Sequence, residues 1–296
     1  MEAGATQVSW DPQLGGSLAK VGETLEATSE GLAEIGLVLS VFEAGKLAEQ
    51  NVTYYTPFST VSIQSALGVM HDLHQNNAIF DQAWSRNGLT YLGGGVGSSD
   101  YVLLTKAPVS TMQDLEGLRL GVAGPSVNWL DGTGAIGVSG NLTTYLTSIK
   151  SGVLDGAVVP ASAVYPTKLF EVAPYILAVG FGAQYAGGLA ANSDWFENQP
   201  PDLKEALISG AAAYSKAYLL ELAATTEKQF ALMRAEGAVI TDVSPQMRDQ
   251  WVAGMKNVAK IWAGKLDGDA IETSLGTYMR ALRVSGETPL RNWDRD

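Results

Sequence analysis

Residues 114–160 read D-L-E-G-L-R-L-G-V-A-G-P-S-V-N-W-L-D-G-T-G-A-I-G-V-S-G-N-L-T-T-Y-L-T-S-I-K-S-G-V-L-D-G-A-V-V-P. Two short apolar runs, Leu118–Ala123 and Gly156–Val159, bracket one helix-length segment, Leu142–Ser151. Short apolar runs bounded by Gly and Pro suit strands buried on both faces. The spacing predicts a strand, a helix and a parallel strand, a βαβ unit whose crossover is right-handed in nearly all proteins. The loop after the first strand and the start of the helix then lie at the carboxyl end of the sheet, where open α/β sheets bind ligands.

On the N-terminal side, Gln7–Trp10 reads as a short strand and Leu18–Ser29 as a helix stopped by Gly31. Ala33–Phe42 is a buried strand and its exit. Thr60–Gln75 is a helix with Val61, Ala66, Val69, Met70 and Leu73 turned inward. Leu89–Leu92 and Tyr101–Thr105 are strands on either side of G-G-G-V-G-S-S-D, a hinge or cleft-lining turn. On the C-terminal side, Tyr175–Val179 is a strand and Phe181–Ala191 is rich in Gly and Ala. Asp202–Glu236 carries Leu203, Leu207, Ala211, Tyr214, Tyr218 and Leu222 at helical steps. A helix of that length runs about 50 Å and most simply lies across two lobes. Ala238–Thr241 is a short strand, and Ser244-Pro245 opens a helix with Trp251, Met255, Val258 and Trp262 on one face. A last helix follows Gly268, and E-T-P-L-R-N-W-D-R-D closes the chain as a tail.

Composition bounds the function. The chain has 296 residues, 46% hydrophobic and 17% charged, which is the make-up of a folded globular protein. Nineteen Lys and Arg face 31 Asp and Glu, for a net charge of -12. That argues against nucleic acid or an anionic membrane surface as partner. There is no Cys, so disulfide and thiolate chemistry are excluded. No apolar run is long enough to insert in a membrane, and the first residues lack a signal peptide's basic region and apolar core.

At D-L-E-G-L-R-L and S-G-V-L-D-G-A, with K-L-F-E-V-A-P-Y and N-S-D-W-F after them, the chain resembles the solute-binding proteins of tripartite ATP-independent periplasmic (TRAP) transporters, C4-dicarboxylate (DctP) type. Leu14-Gly15, G-L-A-E-I-G at Gly31–Gly36 and Pro57-Phe58 extend the match, which runs from Leu14 to Leu266. The resemblance implies an α/β fold of the two-lobed periplasmic binding protein class, type II-like, with a long helix bridging both lobes. Residues 1–99 with 189–229 form lobe I, 100–188 with 230–270 form lobe II, and 271–296 are a C-terminal helix and tail. It implies a periplasmic, non-enzymatic receptor that takes a small organic solute in an interlobe cleft and delivers it to transporter membrane subunits. The family's chains begin with a strand and a helix ahead of the segment matching Val8–Gly15, so an N-terminally truncated sequence is expected. The residue that clamps ligand in the family is an Arg at the end of the first central strand. Its place here is Gly121, a second basic position falls near Tyr101, and an Asn position falls near Val159.

Candidate ligand contacts gather at strand ends and loops: Phe42, Ser99, Tyr101, Gly121, Trp129, Asn141, Thr143, Val159, Phe181 and Tyr185. Aromatic faces hold rings, sugars or ammonium groups, and core packing is the plain alternative for each. Asn141 and Thr143 open the central helix, where free N–H groups can hold an anion or hydroxyl and where simple N-capping competes. No cofactor or metal is expected. His71 and His74, the only histidines, sit three apart on one helix without a third ligand, and a solvated helix face is the expected reading. Gly132, Gly134 and Gly137 spell G-T-G-A-I-G. This supports a rival reading as a nucleotide-dependent enzyme on a doubly wound α/β fold, although the motif needs a strand directly before it.

With Gly121 in the clamp position, recognition is expected to rest on rings, hydroxyls and amides. Replacing Trp129 or Tyr101 by Ala is expected to weaken solute binding more than Arg119→Ala, measured by calorimetric titration.

Overall fold

The computed structural model describes residues 8–264 and 270–296. The first third holds α1 (Thr24–Ser29), β1 (Ile35–Val38), α2 (Val52–Tyr55), α3 (Ile63–Asn76), α4 (Ala78–Ser85) and β2 (Leu89–Ser98). The middle holds β3 (Tyr101–Thr105), β4 (Arg119–Val122), β5 (Ile136–Ser139), α5 (Leu142–Lys150), β6 (Gly156–Pro160), β7 (Tyr175–Ala178) and β8 (Gln184–Asn192). Then come α6 (Ser193–Glu197), α7 (Pro201–Ala235), β9 (Val239–Asp242), α8 (Pro245–Gly254), α9 (Val258–Ala263) and α10 (Ala270–Val284). The strands form two sheets, one ordered β1-β8-β2 and the other β5-β4-β6-β3-β7-β9, and each sheet organises one lobe.

The central unit forms as the sequence implies. β4 and β6 pair in parallel, with Leu120 opposite Gly156 and Gly121 opposite Ala157. The Gly-rich passage between them adds β5, which pairs in parallel with the outer edge of β4. Period-two alternation then gives the larger sheet two apolar faces. Tyr101, Leu103, Leu120, Val122, Val158 and Leu177 enter the main core, which spans both lobes. Val102, Leu104, Ala157, Val159 and Ile176 enter a second core under α5.

The long helix runs from Pro201 to Ala235, 35 residues, or about 52 Å at the usual rise. Its buried residues serve successive cores. Leu203, Leu207 and Ala211 pack with Leu92, Ala191 and Phe196 on the smaller sheet. Leu222 joins the main core, and Met233 the core under α5. One helix thus ties both lobes, as its length requires.

Several expectations are corrected. Val8–Trp10 join no strand, and Gln7 lies outside the described residues. The first helix starts at Thr24, because Gly22 at φ +86° breaks the regular turn and leaves Leu18 and Val21 exposed. Ser62 caps α3 by accepting from the Ser65 N–H, so Val61 stays outside the helix and exposed. The G-G-G-V-G run is no turn. It lies inside β2, whose register against β8 breaks three times, with Gly93 at φ +104° and Gly94 at φ +64° absorbing the bulges. α7 docks on it, Ser215 Oγ donating to the Gly95 carbonyl at 2.8 Å. Trp251 to Trp262 span two helices, α8 and α9, because Asn257 caps α9 by accepting from the Lys260 N–H. Gly268 falls among residues outside the described set.

The closing segment is packed rather than a loose tail. Trp293 is fully buried and donates from Nε1 to the Pro57 carbonyl at 2.7 Å. Leu290 N–H donates to the Phe58 carbonyl at 3.0 Å. Phe58 itself holds φ at 61°, a left-handed conformation that a bulky residue keeps only when clamped. Trp293→Ala is expected to lower unfolding stability by about 3–5 kcal/mol, measured by urea denaturation.

Candidate functional site

The chain passes between the sheets at Ser99–Asp100, at Val179–Ala183, and along α7. Asp100 joins the first two passages. Its Oδ1 accepts from its neighbour's Tyr101 N–H at 2.8 Å and from Gly182 N–H, on the return passage, at 2.9 Å. Its own carbonyl accepts from Ala161 N–H and from Ser98 Oγ. Gly182 has φ +96°, and a Cβ there would lie 2.5 Å from the Thr60 carbonyl oxygen, so only Gly fits. Arg248 Nε donates to the Val179 carbonyl at 3.1 Å. Burial pushes the Asp100 carboxyl up to about 6, against the pull of the two N–H donors and the Arg248 charge.

Beside this hinge, aromatic rings fill the space between the lobes. Trp129 leaves β4 in the turn Gly124–Leu130 and is fully buried. It stacks on Tyr54 at 5.8 Å and on Phe181 at 5.0 Å, and meets Tyr101 edge-on at 5.0 Å. Trp129 Nε1 donates to the Tyr54 carbonyl at 2.7 Å. The neighbouring Thr53 is bonded to Tyr185 on β8, so this contact links one lobe to the other. The Tyr54 and Tyr101 hydroxyls lie 2.8 Å apart. Trp251 on α8 meets Phe181 edge-on and donates to the Trp129 carbonyl. Backbone also meets backbone here: Gly124, at φ +51°, approaches the Val41 carbonyl so closely that a Cβ would lie 2.1 Å from its oxygen.

The structure sorts the candidate residues. Tyr101, Trp129 and Phe181 come together, with Ser99 at the adjoining hinge and Phe42 half-buried against the same core. Gly121 lies on the opposite face of β4, where Tyr145 fills the space a side chain would take. Val159 packs in the core under α5. Asn141 caps α5, its Oδ1 accepting from Thr143 N–H and Oγ1, and Thr143 is exposed. Tyr185 packs in the smaller sheet's lobe against Tyr91 and His74. Tyr54, Tyr218 and Asp100 were not read as site residues; each lacks a motif, and only the folded chain sets them at the lobe junction.

Two other expectations change. His74 is not on a solvated face. It is buried, stacked on Tyr91 at 4.0 Å and bonded to Met70 O and Trp84 Nε1, and burial pushes its pKa down to about 4. The G-T-G-A-I-G stretch runs into a strand, β5, which its Ile136 and Gly137 open, instead of following one directly. A Cβ on Gly132 would lie 2.3 Å from the Gly254 carbonyl oxygen, so this glycine is there for packing against α8. An open cavity of about 680 Å³ lies nearby, lined by Ser110, Gln113, Thr133, Ser244 and Gln250 among others, and shares no residue with the ring cluster.

A family model described as bacterial extracellular solute-binding protein, family 7 (DctP), matches residues 1–265. The chain belongs to this family. It binds a solute outside the cytoplasm and is not an enzyme, which sets aside the nucleotide-dependent alternative. Solved structures share its fold at low identity. The ectoine-binding protein of the TeaABC TRAP transporter of Halomonas elongata is 14% identical over 91% of this chain and 87% of its own, with a TM-score of 0.82. A Bordetella pertussis extracytoplasmic solute receptor binding pyroglutamic acid is 17% identical over 90% and 86%, at 0.76. A TRAP periplasmic solute-binding protein from Desulfovibrio desulfuricans with bound sn-glycerol-3-phosphate is 19% identical over 94% and 86%, also at 0.76. A search of curated proteins found no match. No helix among the described residues is long and apolar enough to cross a membrane.

The hinge carboxylate gives family 7's chain here a pH signature. Asp100 titrates near 3.8 in an unfolded chain and near 6 when folded. Between those values the folded state holds the extra proton, so this group's contribution to stability falls as pH rises. Asp100→Asn keeps an acceptor for both N–H groups and carries no charge. Its stability relative to the parent is expected to rise by about 2–3 kcal/mol between pH 4 and pH 6.5 and then level off, measured by paired urea titrations. Pairing cancels the parallel titrations of Glu43, near 7, and His74, near 4.

Proposed function

We propose that this chain captures a small organic solute between its lobes, at the cluster around Trp129, and delivers it to the membrane subunits of a TRAP-type secondary transporter. The observation that carries the site is the Trp129–Tyr54 bond, which joins the lobes inside a buried wall of rings beside the Asp100 hinge. Residues 1–99 with 189–229 move as lobe I and 100–188 with 230–270 as lobe II, with 271–296 set apart as the closing helix and its packed end. The two non-helical passages act as the hinge, in the manner of domain closure around a ligand. Tyr101, Trp129 and Phe181 are the ligand contacts this reading retains, with Ser99 and Phe42 at the margin. Asn141, Thr143, Val159 and Tyr185 support the fold around them.

The test is solute-induced closure. Small-angle scattering should show a smaller radius of gyration when a solute that raises the melting temperature is added. A protein that responds to no solute in a broad library would sink the reading. Gly124→Ala places a methyl group against the Val41 carbonyl. It is expected to hold the lobes apart and weaken solute affinity at least tenfold, read by calorimetry, with the far-ultraviolet spectrum unchanged.

A further inference from the structure

The open cavity of about 680 Å³ lies among the turn Met112–Leu115, the Gly132–Gly134 stretch and the first turns of α8. That volume is in the range of small-molecule sites, and the receptor reading makes no use of it. Its walls are fixed by their own hydrogen bonds. Asp114 Oδ2 accepts from the Ser110 and Thr111 N–H groups at 2.8 Å each, which holds the first wall. Gly117 N–H donates to the Gly134 carbonyl at 2.9 Å and joins that wall to the second. Thr133 is buried in the second wall, its Oγ1 donating to the Leu130 carbonyl and accepting from Ala135 N–H. On the third, Ser244 caps α8 by accepting from Met247 N–H at 3.2 Å. The backbone around the cavity therefore keeps its shape without a ligand, and the helix end is already taken by its cap.

What is left over is side-chain amide. Gln113, Gln246 and Gln250 line the cavity, and none of their carboxamides has a hydrogen-bond partner among the described residues. Gln246 and Gln250 are four apart on α8 and share one helix face. Gln113 comes from the first wall, so amides from two separate elements converge on one concavity. The Glu116 carboxylate joins them, and Met112 and Met247 add apolar surface. Among the described residues, no Lys, Arg, His or aromatic ring lines the cavity.

We propose that this cavity is a second ligand site, for a neutral polyhydroxylated molecule such as a sugar, held by Gln113, Gln246 and Gln250 with its C–H surface on the two methionines. A carboxamide offers two N–H donors and an acceptor, and a hydroxyl offers one donor and accepts as well, so the two match group for group. An anion would meet Glu116 and no cation, on a chain of net charge -12. A cation would find one carboxylate open to water, where an ion pair is worth little. α8 presents Gln246 and Gln250 to this cavity and Trp251 to the ring cluster, so substitution can separate the two sites.

The test is saturation-transfer NMR on the full chain with D-glucose, D-glucuronate and D-glucosamine, which share one ring and differ in charge. Glucose is then titrated into the parent, Gln246→Ala, Gln250→Ala and Tyr101→Phe. Expected are transfer to glucose at millimolar affinity, a loss of about fivefold in each Gln variant for the hydrogen bonds removed, and no change in Tyr101→Phe. Both glutamines are exposed, so their variants are expected to keep the parent's melting temperature. Equal affinity in the Gln variants, or loss in Tyr101→Phe, would put the sugar elsewhere and overturn the proposal. Binding confined to glucuronate or glucosamine, or no transfer to glucose, would overturn it too. None of these outcomes contradicts the interlobe reading, which is tested by solute-induced closure.

Discussion

One carboxylate accepting from two passages of chain sets the geometry on which the lobe junction depends. The Asp100 to Gly182 bond ties the outgoing passage at Ser99 to the return at Gly182, between the Ser98–Gln184 and Val102–Ala178 strand pairs. With it they form a single two-stranded hinge, and α7 runs beside them as a stiff third link. The surroundings are built to keep that bond. Gly182 has no alternative residue because the Thr60 carbonyl occupies the space of a Cβ, and the same carbonyl accepts the next N–H, that of Ala183. The hinge is thus fixed laterally by backbone contacts while remaining free of the deep interlocking that a large side chain would bring. The carboxylate is costly to bury, and the partial return comes from two N–H donors and one nearby Arg.

From that hinge the alternation of β3 does the rest. Tyr101 follows Asp100 directly and turns toward the main core, so the hinge and the ring cluster are adjacent by covalent connection. Val102 turns the other way, into the core under α5. The same alternation on β4 sends Leu120 and Val122 toward the main core and leaves Gly121 to meet Tyr145. A residue at a strand end is therefore near the site only if its parity is right. Val159 shares the parity of Ala157 and turns into the core under α5, although its strand β6 lies next to both β4 and β3.

This is also why the fold was more legible than the site. The β4–α5–β6 unit and α7 are local patterns, carried by periodicity and bounded by Gly and Pro, and both formed within a residue or two of expectation. The strand β5 was missed because I-G-V-S is short, lies at an edge and is only partly buried, so it has no apolar run to betray it. The glycines of β2 were misread because Gly marks turns and bulges alike, and only the partner strand β8 tells which. The aromatic positions Tyr101, Trp129 and Phe181 could be read as strand-end rings. Tyr54 and Tyr218 could not, since their relation to Tyr101 is tertiary: one sits on a four-residue helix and the other far along α7. His74 illustrates the reverse error. A polar residue on a helix reads as solvated, yet Trp84, Tyr91 and Met70 supply the partners that make its burial tolerable.

On the proposed reading, the ring cluster around Trp129 is also what a solute must compete with. An aromatic side chain buries roughly 150–250 Å², so Trp129 alone contributes about 4–6 kcal/mol to keeping the lobes together at the usual coefficient. Its indole N–H is already bonded to the Tyr54 carbonyl. A solute that entered by parting these rings without touching their faces would forfeit that burial and gain only its polar contacts. A flat solute inserted between the faces replaces ring–ring contact with ring–solute contact and loses little. Because a ligand shifts a conformational equilibrium only by its difference in affinity for the two states, closure around a flat solute is the outcome this wall favours.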